Sequence, residues 1–495
     1  MRPLEAATSV ARVNLATFLI DTAGRHPQRE ALRRGGRRIA YAELDRASAD
    51  VARRLAAEGI RPGDRVALMV PNVPEFVAAY YGILRAGAIV VPLDVDLKRD
   101  ELRASLADAG AALLIAWRGL LRTPGEATWL VAPGSFFEDD APAAEPVETI
   151  DHDADDTAVI VYTSGSTGRP KGAELTHANL ALNAQVVAEL FGFGPEDAVL
   201  GALPLAHAFG QTCTLNAAML AGARLVLAPR PEPDDGVSVL VGVPSMYARL
   251  LADGGPPPAP ELRMCISGGA PLAPELLDAC EQALGTRLLE GYGLTETSPV
   301  ASFNRPADPR RPGSIGTPIA GVEMRLRDVS PDGVGEIVIR GHNVMKGYWN
   351  RPEETRAVLS QDGWLRTGDV ARVDEDGAFH IVGRTKDLII RDGRNVYPRE
   401  IEDVLHGHPD VLEAAVLGVP DPLLGEEVVA CVVVAAGATA TEEELRRYVR
   451  ERVAESKYPR RVWFAAALPH TGSGKVLKRA IVIPPDIAAA REIAA

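Results

Sequence analysis

Apolar residues in the first half of the chain alternate between helical and strand patterns. Residues 41–59 carry apolar side chains at helical spacing and end in glycine, which predicts a helix. The continuous apolar runs at 65–70 and 88–93 are typical of buried parallel strands, and a helix is predicted between them over 76–86. Strands that alternate with helices across short links predict a doubly wound α/β layer.

Less regular stretches divide the rest of the chain. Residues 118–156 end in an acidic, proline-rich segment, which predicts a surface loop or a linker. Short alternating runs separated by Gly and Asp predict a β-rich subdomain at about 312–383, with a hairpin at 373–379. After residue 383 strands and helices alternate again, over a stretch long enough for a separate small domain.

Together these patterns predict the fold class and the domains. We expect an α/β protein with a large N-terminal domain of doubly wound αβαβα layers and a β-rich, barrel-like subdomain. A small C-terminal α+β domain is expected to follow. The predicted domains are residues 1–385 and 386–495.

Composition and charge narrow the classes of function. The chain has 495 residues, of which 46% are hydrophobic, so it can bury a large core. Its 53 lysines and arginines against 67 acidic residues give a net charge of −14, which argues against a nucleic-acid-binding protein. No apolar run reaches the ~20 residues of a membrane helix, and no apolar signal core opens the sequence. We therefore expect a cytoplasmic enzyme or binding protein without an integral membrane segment.

The spacing of cysteines and histidines does not predict a metal site. The four cysteines lie far apart in the sequence, so we expect buried, reduced side chains and neither zinc ligands nor a disulfide framework. His406 and His408 lack partner ligands near them in the sequence, and we expect them at the end of a helix.

The run YTSGSTGRPKG at 162–172 carries the sharpest chemical signal. An apolar strand leads directly into glycines and hydroxyl side chains, whose amide and hydroxyl groups can surround an anion, and Lys171 adds a positive charge. It is not a Walker A loop, because Pro170 stands at the second glycine position and Gly172 follows the lysine. A flexible Ser/Gly linker would not be expected to continue an apolar strand. The run therefore predicts a polyphosphate site, formed by Lys171 with Thr163, Ser164, Gly165, Ser166, Thr167 and Gly168.

Further runs follow this loop in a fixed order. They are LPLAHAFG (203–210), SGGAPL (267–272), GYGLTET (291–297), GYWNRPEET (347–355), GWLRTGD (363–369), GRTKDLIIRDGRNVYPREIE (383–402) and GSGKVLKR (472–479). With this series the chain resembles the adenylate-forming superfamily, which includes acyl-CoA synthetases, luciferases and the adenylation domains of peptide synthetases. The resemblance covers about residues 30–480.

The resemblance implies two half-reactions and three cofactors, which are ATP, Mg²⁺ and CoA. A carboxylate attacks the α-phosphorus of ATP to give an acyl-adenylate and pyrophosphate. A thiol then attacks the acyl carbon and releases AMP. The small C-terminal domain is expected to be mobile, with a hinge at Lys386, and residues 393–398 are expected to enter the active site for the second step.

The resemblance also assigns roles to individual residues. The expected catalytic residues are Lys475, His207, Thr295 and Glu296, with Thr295 on the α-phosphate and Glu296 on Mg²⁺. The expected nucleotide contacts are Tyr292 against adenine, its neighbours Gly291 and Gly293, the close-approach residues Gly268, Gly269 and Ala270, and Asp369 and Arg384 at the ribose. Lys475 is expected to reach the carboxylate and the α-phosphate from the small domain.

The substrate is expected to be a medium- or long-chain fatty acid. The residues of several motifs are most similar to those of bacterial fatty acyl-CoA synthetases. His207 matches a family residue near the substrate carboxylate. Gly291 and the Ala/Gly-rich segment 206–222 would leave room for an apolar tunnel. Amino-acid-activating relatives carry an aspartate at the position of Ala208, so an amino-acid substrate is not expected.

Three alternatives stay open at this point. Arg249 matches one of two arginines in malonyl-activating relatives, but Gly291 stands at the other position, so a short dicarboxylic acid is the second choice. The acceptor could be the pantetheine of an acyl carrier protein, since it presents the same thiol as CoA. A non-catalytic AMP-binding protein is a third possibility, although the expected active-site residues are intact.

Substitution of Lys475 tests the assignment of the two steps. We expect Lys475→Ala to lose acid-dependent ATP–pyrophosphate exchange, because the ammonium group would no longer neutralise the reacting carboxylate and phosphate. The same variant should still convert a synthetic acyl-adenylate to the thioester. Unchanged pyrophosphate exchange in this variant would refute the role of Lys475.

Overall fold

The computed structural model describes residues 13–121, 127–137, 149–163, 170–253, 261–470 and 476–488. The chain divides into two units, of which the first contains residues 1–324 and 339–365 and the second residues 325–338 and 366–495. Each unit is described by itself below. The domain boundary at residue 386 stays a prediction.

The helices of the described residues follow the predicted order. The α-helices are α1 (Thr17–Arg25), α2 (Tyr41–Ala57), α3 (Pro74–Arg85), α4 (Arg99–Ala109), α5 (His177–Leu190), α6 (Ala217–Ala221), α7 (Pro244–Ala252), α8 (Pro274–Leu284), α9 (Pro352–Val358), α10 (Pro398–His406), α11 (Glu442–Arg450) and α12 (Pro485–Ala488). A π-helical segment (Gly210–Asn216) leads into α6.

The strands lie between these helices. The strands before residue 230 are β1 (Glu30–Arg34), β2 (Arg37–Ala40), β3 (Arg65–Met69), β4 (Ile89–Pro92), β5 (Leu113–Trp117), β6 (Thr128–Val131), β7 (Thr157–Thr163), β8 (Lys171–Thr176), β9 (Ala198–Leu200) and β10 (Arg224–Val226). They are followed by β11 (Val239–Gly242), β12 (Met264–Ser267), β13 (Leu288–Gly293), β14 (Val300–Phe303), β15 (Thr317–Pro318), β16 (Val322–Arg327), β17 (Gly335–Gly341) and β18 (Gly347–Tyr348). The last strands are β19 (Leu365–Val373), β20 (Phe379–Arg384), β21 (Ile389–Arg391), β22 (Arg394–Val396), β23 (Val411–Asp421), β24 (Gly425–Val434) and β25 (Arg461–Phe464).

Two sheets with parallel centres form the first unit. One has the order β15-β14-β13-β12-β11-β9-β10-β1-β2 and the other β18-β8-β7-β4-β3-β5-β6. Every residue of α3 is buried, and a Cβ atom on its Gly82 would lie 2.5 Å from Val51 of α2, so the glycine permits the two helices to pack closely. The predicted α/β fold class is confirmed.

One predicted loop contains a strand. We predicted irregular surface structure for residues 118–156, and this is wrong for Thr128–Val131, which form β6 and pair in parallel with β5. The strand is only four residues long and lies at the edge of its sheet, so its apolar pattern is too brief to stand out. Residues 138–148 of the predicted loop lie outside the described residues.

The β-rich region and the C-terminal region form two further sheets. Strands β16, β17, β19 and β20 form a four-stranded sheet in that order, and β19 and β20 make the predicted hairpin. The C-terminal sheet has the order β22-β21-β24-β23, with β25 beside β24. Helices α10 and α11 contribute Ile401, Leu405, Leu445 and Val449 to its apolar core. The hydroxyl of Thr441 accepts the N–H of Glu444 and so caps the start of α11.

The four cysteines are buried, as expected, and His406 lies at a helix end. Cys213, Cys265, Cys280 and Cys431 are all buried and unpaired with one another. Within the described residues, no group of His, Cys, Asp and Glu side chains is arranged to hold a metal ion. His406 is the last residue of α10, as predicted. Among these residues no helix combines the length and apolar content needed to span a bilayer.

His177 connects the start of α5 to the N-terminal segment. Its side chain is buried, its Nδ1 accepts the backbone N–H of Leu15 at 3.1 Å, and its ring stacks on His152. Burial, with a smaller contribution from His152, lowers the pKa of His177 to about 3. His177 is therefore neutral in the folded protein at pH 5, whereas an unfolded chain would protonate it.

This difference predicts a pH-dependent stability. Because the unfolded state binds the extra proton, the free energy of unfolding should fall between pH 7 and pH 5, by about 2 kcal/mol from this group. His177→Asn should lose that part of the pH dependence, measured by urea unfolding at both pH values. The exposed His406→Asn is the control and should keep the wild-type dependence. A full dependence in His177→Asn would contradict the assignment.

Candidate active site

Strands β7 and β8 hold the two ends of the predicted phosphate loop. They are antiparallel, with Thr163 opposite Lys171, and the Thr163 hydroxyl donates to the carbonyl oxygen of Lys171 at 3.4 Å. Residues 164–169, which include the candidates Ser164, Gly165, Ser166, Thr167 and Gly168, lie outside the described residues. The pairing fixes where this loop leaves the sheet and where it returns.

Tyr348 lies beside Lys171. Strand β18 pairs with β8 and places Tyr348 opposite Ala173. The Lys171 ammonium lies 5.2 Å from the centre of the Tyr348 ring and 3.7 Å from the carboxylate of Glu354 in α9. An ammonium over an aromatic face and next to a carboxylate is attracted by both, so these contacts hold the lysine in place.

Glu296 reaches the same tyrosine from another part of the unit. The Tyr348 hydroxyl donates to Oε1 of Glu296 at 2.8 Å, and the backbone carbonyl of Glu296 accepts the N–H of Met345 at 2.9 Å. Burial, and then the neighbouring Glu296 charge, raise the pKa of Tyr348, which keeps its hydroxyl protonated as a donor. Lys171 and Glu296 are thus joined through one side chain. A carboxylate oxygen suits Mg²⁺ and a nearby ammonium suits phosphate, so this set fits the groups expected here.

The GYG run forms the end of β13, where side chains have little room. A Cβ atom at Gly293 would lie 1.8 Å from the carbonyl oxygen of Pro299, so only glycine fits. Tyr292 is partly exposed and lies opposite Ser302 of β14. Thr295 begins the short 3₁₀ helix that carries Glu296.

The SGGA turn lies between the His207 segment and β13. It begins at the end of β12, and Gly269 has a φ of +80°, which favours glycine. A Cβ atom at Gly268 would lie 3.1 Å from the ring of Phe209 and 3.5 Å from the carbonyl oxygen of Gly291. Ala270 follows in the same turn and is partly exposed. Three of the predicted motifs therefore meet at this edge of the nine-stranded sheet.

The room expected beside Gly291 is filled by Phe303. These residues lie opposite each other on β13 and β14, and a Cβ atom at Gly291 would lie 2.3 Å from the Phe303 ring. Phe303 is buried and packs edge-to-face on Phe191 at 5.0 Å. Within the Ala/Gly-rich segment 206–222, every residue of the π-helical part Gly210–Asn216 is buried.

His207 pairs with a carboxylate that the sequence did not single out. Its Nε2 lies 3.5 Å from Oδ2 of Asp94, which follows β4. The interaction with His207 is the main reason that the pKa of Asp94 lies below its usual value. Asp94 also accepts the N–H of Asp96 at 3.0 Å, which holds the carboxylate close to the imidazole.

The second unit carries the two expected ribose contacts side by side. Asp369 on β19 lies opposite Arg384 on β20, and the Arg384 guanidinium lies 2.9 Å from the Asp369 carboxylate. Lys386 is exposed in the short 3₁₀ helix that follows β20. Asp392 and Gly393 both have positive φ and form the tight turn between β21 and β22, so residues 393–398 begin at a hairpin.

Lys475 lies outside the described residues. The described residues on either side of the segment that contains it are His470 and Val476, which form an antiparallel bridge. This bridge fixes the positions of the residues that flank the segment, and the position of Lys475 stays a prediction.

Four residues at or near the candidate site were missed from the sequence: Tyr348, Glu354, Asp94 and Phe303. Tyr348 and Glu354 stand inside a recognised motif, and Asp94 follows a strand at its carboxyl end, where α/β proteins commonly bind ligands. These positions could have been noticed. Phe303 had no such signal, because its contact with Gly291 depends on the pairing of β13 with β14.

Comparisons with known proteins agree with this geometry. Residues 19–349 match the model of the AMP-binding enzyme family, and residues 400–475 match that of the AMP-binding enzyme C-terminal domain. A feruloyl-CoA synthase of an Amycolatopsis species is 40% identical over 94% of this chain and 97% of the relative. A long-chain-fatty-acid–CoA ligase of Bacillus subtilis (strain 168) is 34% identical, over 94% of both chains.

A solved structure extends the likeness to the whole fold. The crystal structure of ATP-bound MatB from Rhodopseudomonas palustris matches with a TM-score of 0.86 and 35% identity, over 94% of this chain and 97% of that one. The sequence match, the fold and the motifs agree over nearly the whole length. The chain therefore belongs to the AMP-binding enzyme family and is an AMP-forming acid–CoA ligase, with ATP, Mg²⁺ and CoA as its cofactors.

Proposed function

We propose that this ligase activates a compact aromatic carboxylic acid and transfers it to CoA. In the first step a carboxylate oxygen of the acid bonds to the α-phosphorus of ATP, and pyrophosphate leaves. In the second step the CoA sulfur bonds to the acyl carbon, its thiol proton is released, and AMP leaves. The observation that carries the choice of acid is the Phe303 ring beside Gly291.

The position of Phe303 limits the length of the acyl group. The motifs that carry His207, Gly268 and Gly291 meet at one edge of the sheet, where the acid is expected to bind. Phe303 and its neighbour Phe191 fill the space behind Gly291, which a long alkyl chain would have to enter. Phe209 lies next to Gly268, where a Cβ atom would also be 3.5 Å from the carbonyl oxygen of Gly291. A flat ring can pack between aromatic side chains at such a place, which favours an aryl acid. The 40% identity to feruloyl-CoA synthases supports the same class.

The roles of the polar residues are part of this proposal. Lys171 and Glu296 hold the phosphates and Mg²⁺, with Tyr348 between them before the nucleotide binds. Asp369 and Arg384 bind the ribose, and His207, oriented by Asp94, lies near the carboxylate of the acid. Catalysis then comes from orientation and charge stabilisation, and it needs no acid–base pair.

A medium- or long-chain fatty acid is the second candidate. The 34% identity to a long-chain-fatty-acid–CoA ligase favours it, since that likeness also covers nearly the whole chain. The substrate pocket must then open beyond Phe303 when the acid binds. A carrier-protein thiol as the acceptor stays a prediction.

A short dicarboxylic acid is less well supported. Phe303 leaves no room for an arginine at position 291. That position therefore cannot supply the second arginine that malonyl-activating relatives carry. Arg249 is exposed on α7 and lines a cavity of about 550 Å³ together with Glu232 and Asp253. Two carboxylates beside it would weaken the attraction of a third.

Acid-dependent ATP–pyrophosphate exchange tests the proposal directly. We expect exchange with benzoic and cinnamic acids at kcat/KM values at least about tenfold above those for fatty acids from C2 to C18 and for malonate. Strong exchange only with long fatty acids would overturn the choice of acid. No exchange with any acid would refute ligase activity.

Removing the Phe303 ring should change which acids are used. We expect Phe303→Ala, or the milder Phe303→Leu if the first variant is unstable, to raise the relative kcat/KM for C8–C14 fatty acids about tenfold, because the space behind Gly291 opens. Phe193→Ala removes a ring that packs on the neighbouring Phe191, with their centres 6.3 Å apart, and is the matched control. An acid profile that stays the same in both Phe303 variants would contradict the proposed limit.

A further inference from the structure

Gln211 is a buried amide that has no partner in the described part of the chain. Its side chain is 0% exposed, and neither its Nε2 nor its Oε1 makes a hydrogen bond there. An amide that loses its water without gaining a partner destabilises the fold, so buried amides are almost always paired. A buried amide without a partner is therefore a candidate for contact with a ligand.

The other buried polar side chains of the same π-helical segment are paired. The Thr212 hydroxyl donates to the carbonyl oxygen of Ser298 at 2.8 Å, and the Thr214 hydroxyl donates to that of Gly210. The Asn216 side chain accepts the Tyr81 hydroxyl at 2.9 Å. The segment therefore pairs its other buried polar side chains, and Gln211 differs from them in having no hydrogen-bond partner among the described residues.

Gln211 lies one helical turn after His207. Its backbone N–H donates to the His207 carbonyl at 3.0 Å, so one hydrogen-bonded turn of backbone connects the two residues. Between them Phe209 reaches Gly268. π-Helical segments are rare and are frequently found at functional sites. The unpaired amide thus lies one backbone turn from the residue that we place near the substrate carboxylate.

A second unpaired group lies on the segment next to this helix. The carbonyl of Ser298 holds Thr212, while the Ser298 hydroxyl is completely buried and has no partner among the described residues. Ser298 also has a φ of +66°, which is uncommon for a residue other than glycine and is often found at functional sites.

We propose that the Gln211 amide hydrogen-bonds an oxygen substituent on the acyl part of the acid, so that the enzyme selects an oxygenated acid over its unsubstituted analogue. The inference rests on the proposed function and names its substrate class more closely. A primary amide offers a donor and an acceptor, which matches a hydroxyl group with or without a neighbouring methoxyl group. An acid without such a group leaves the amide unpaired and binds less well.

Matched acids and a matched variant test this role. With the wild-type enzyme we expect kcat/KM in pyrophosphate exchange to be at least about tenfold higher for 4-hydroxy-3-methoxycinnamic acid than for cinnamic acid. Gln211→Leu should reduce that ratio to near one, chiefly by improving the use of cinnamic acid. Its thermal unfolding midpoint should equal or exceed that of the wild type, because an unpaired buried amide is replaced by an apolar group of similar size.

Thr212→Val is the control for a structural effect in the same helix. It removes a hydrogen bond to Ser298, so it should lower the unfolding midpoint and keep the preference for the oxygenated acid. Gln211→Met serves if the leucine variant fails to fold, since its side chain has nearly the same length.

The outcomes separate this inference from the function on which it rests. If the wild type activates only fatty acids, the choice of an aryl acid fails, and the test is repeated with hydroxylated and plain fatty acids of equal length. A wild-type enzyme without preference within a matched pair overturns the role of Gln211. So does a preference that survives in Gln211→Leu, or an unfolding midpoint that falls while the preference is unchanged.

Discussion

The candidate nucleotide site depends on the pairing of three neighbouring strands, β7, β8 and β18. Their registers place Lys171 opposite Thr163 and bring Tyr348 beside Lys171. Tyr348 in turn binds Glu296, which lies in the short 3₁₀ helix that follows β13 of the other sheet. A shift of one residue in either pairing would turn these side chains to the opposite face. The pairing of these strands and the Tyr348 side chain thus bring Lys171 and Glu296 together, although they lie far apart in the sequence.

The space allowed to glycines governs the acyl side of the site. At Gly293 the backbone of Pro299 excludes any side chain, and at Gly291 the Phe303 ring does so. The same small residue therefore has two different uses only two positions apart. One permits the close turn toward Glu296, and the other gives its space to an aromatic ring. We infer that the side chains packed against these glycines, such as Phe303, determine which acid binds. The registers of the strands determine where the nucleotide-binding residues lie.

The sequence predicted the fold class and the main α/β elements well, because periodic apolar runs and glycine stops are local signals. Strand β6 was missed since four edge residues give too short a pattern. Lys171 and Glu296 could be selected because their motifs are local too. Phe303 and Gln211 could not, since a ring across a strand pair and an unpaired amide become visible only when distant segments are packed together. The filling of the space beside Gly291 could not be predicted for the same reason.

The most direct test of the central claim is equilibrium binding of ATP at increasing Mg²⁺ concentration, for the wild type and for Glu296→Gln. If Glu296 holds the metal next to Lys171, ATP affinity should rise with Mg²⁺ in the wild type and respond at least about tenfold less in the variant. An equal gain from Mg²⁺ in both proteins would contradict the account, because the metal would then be held without this carboxylate.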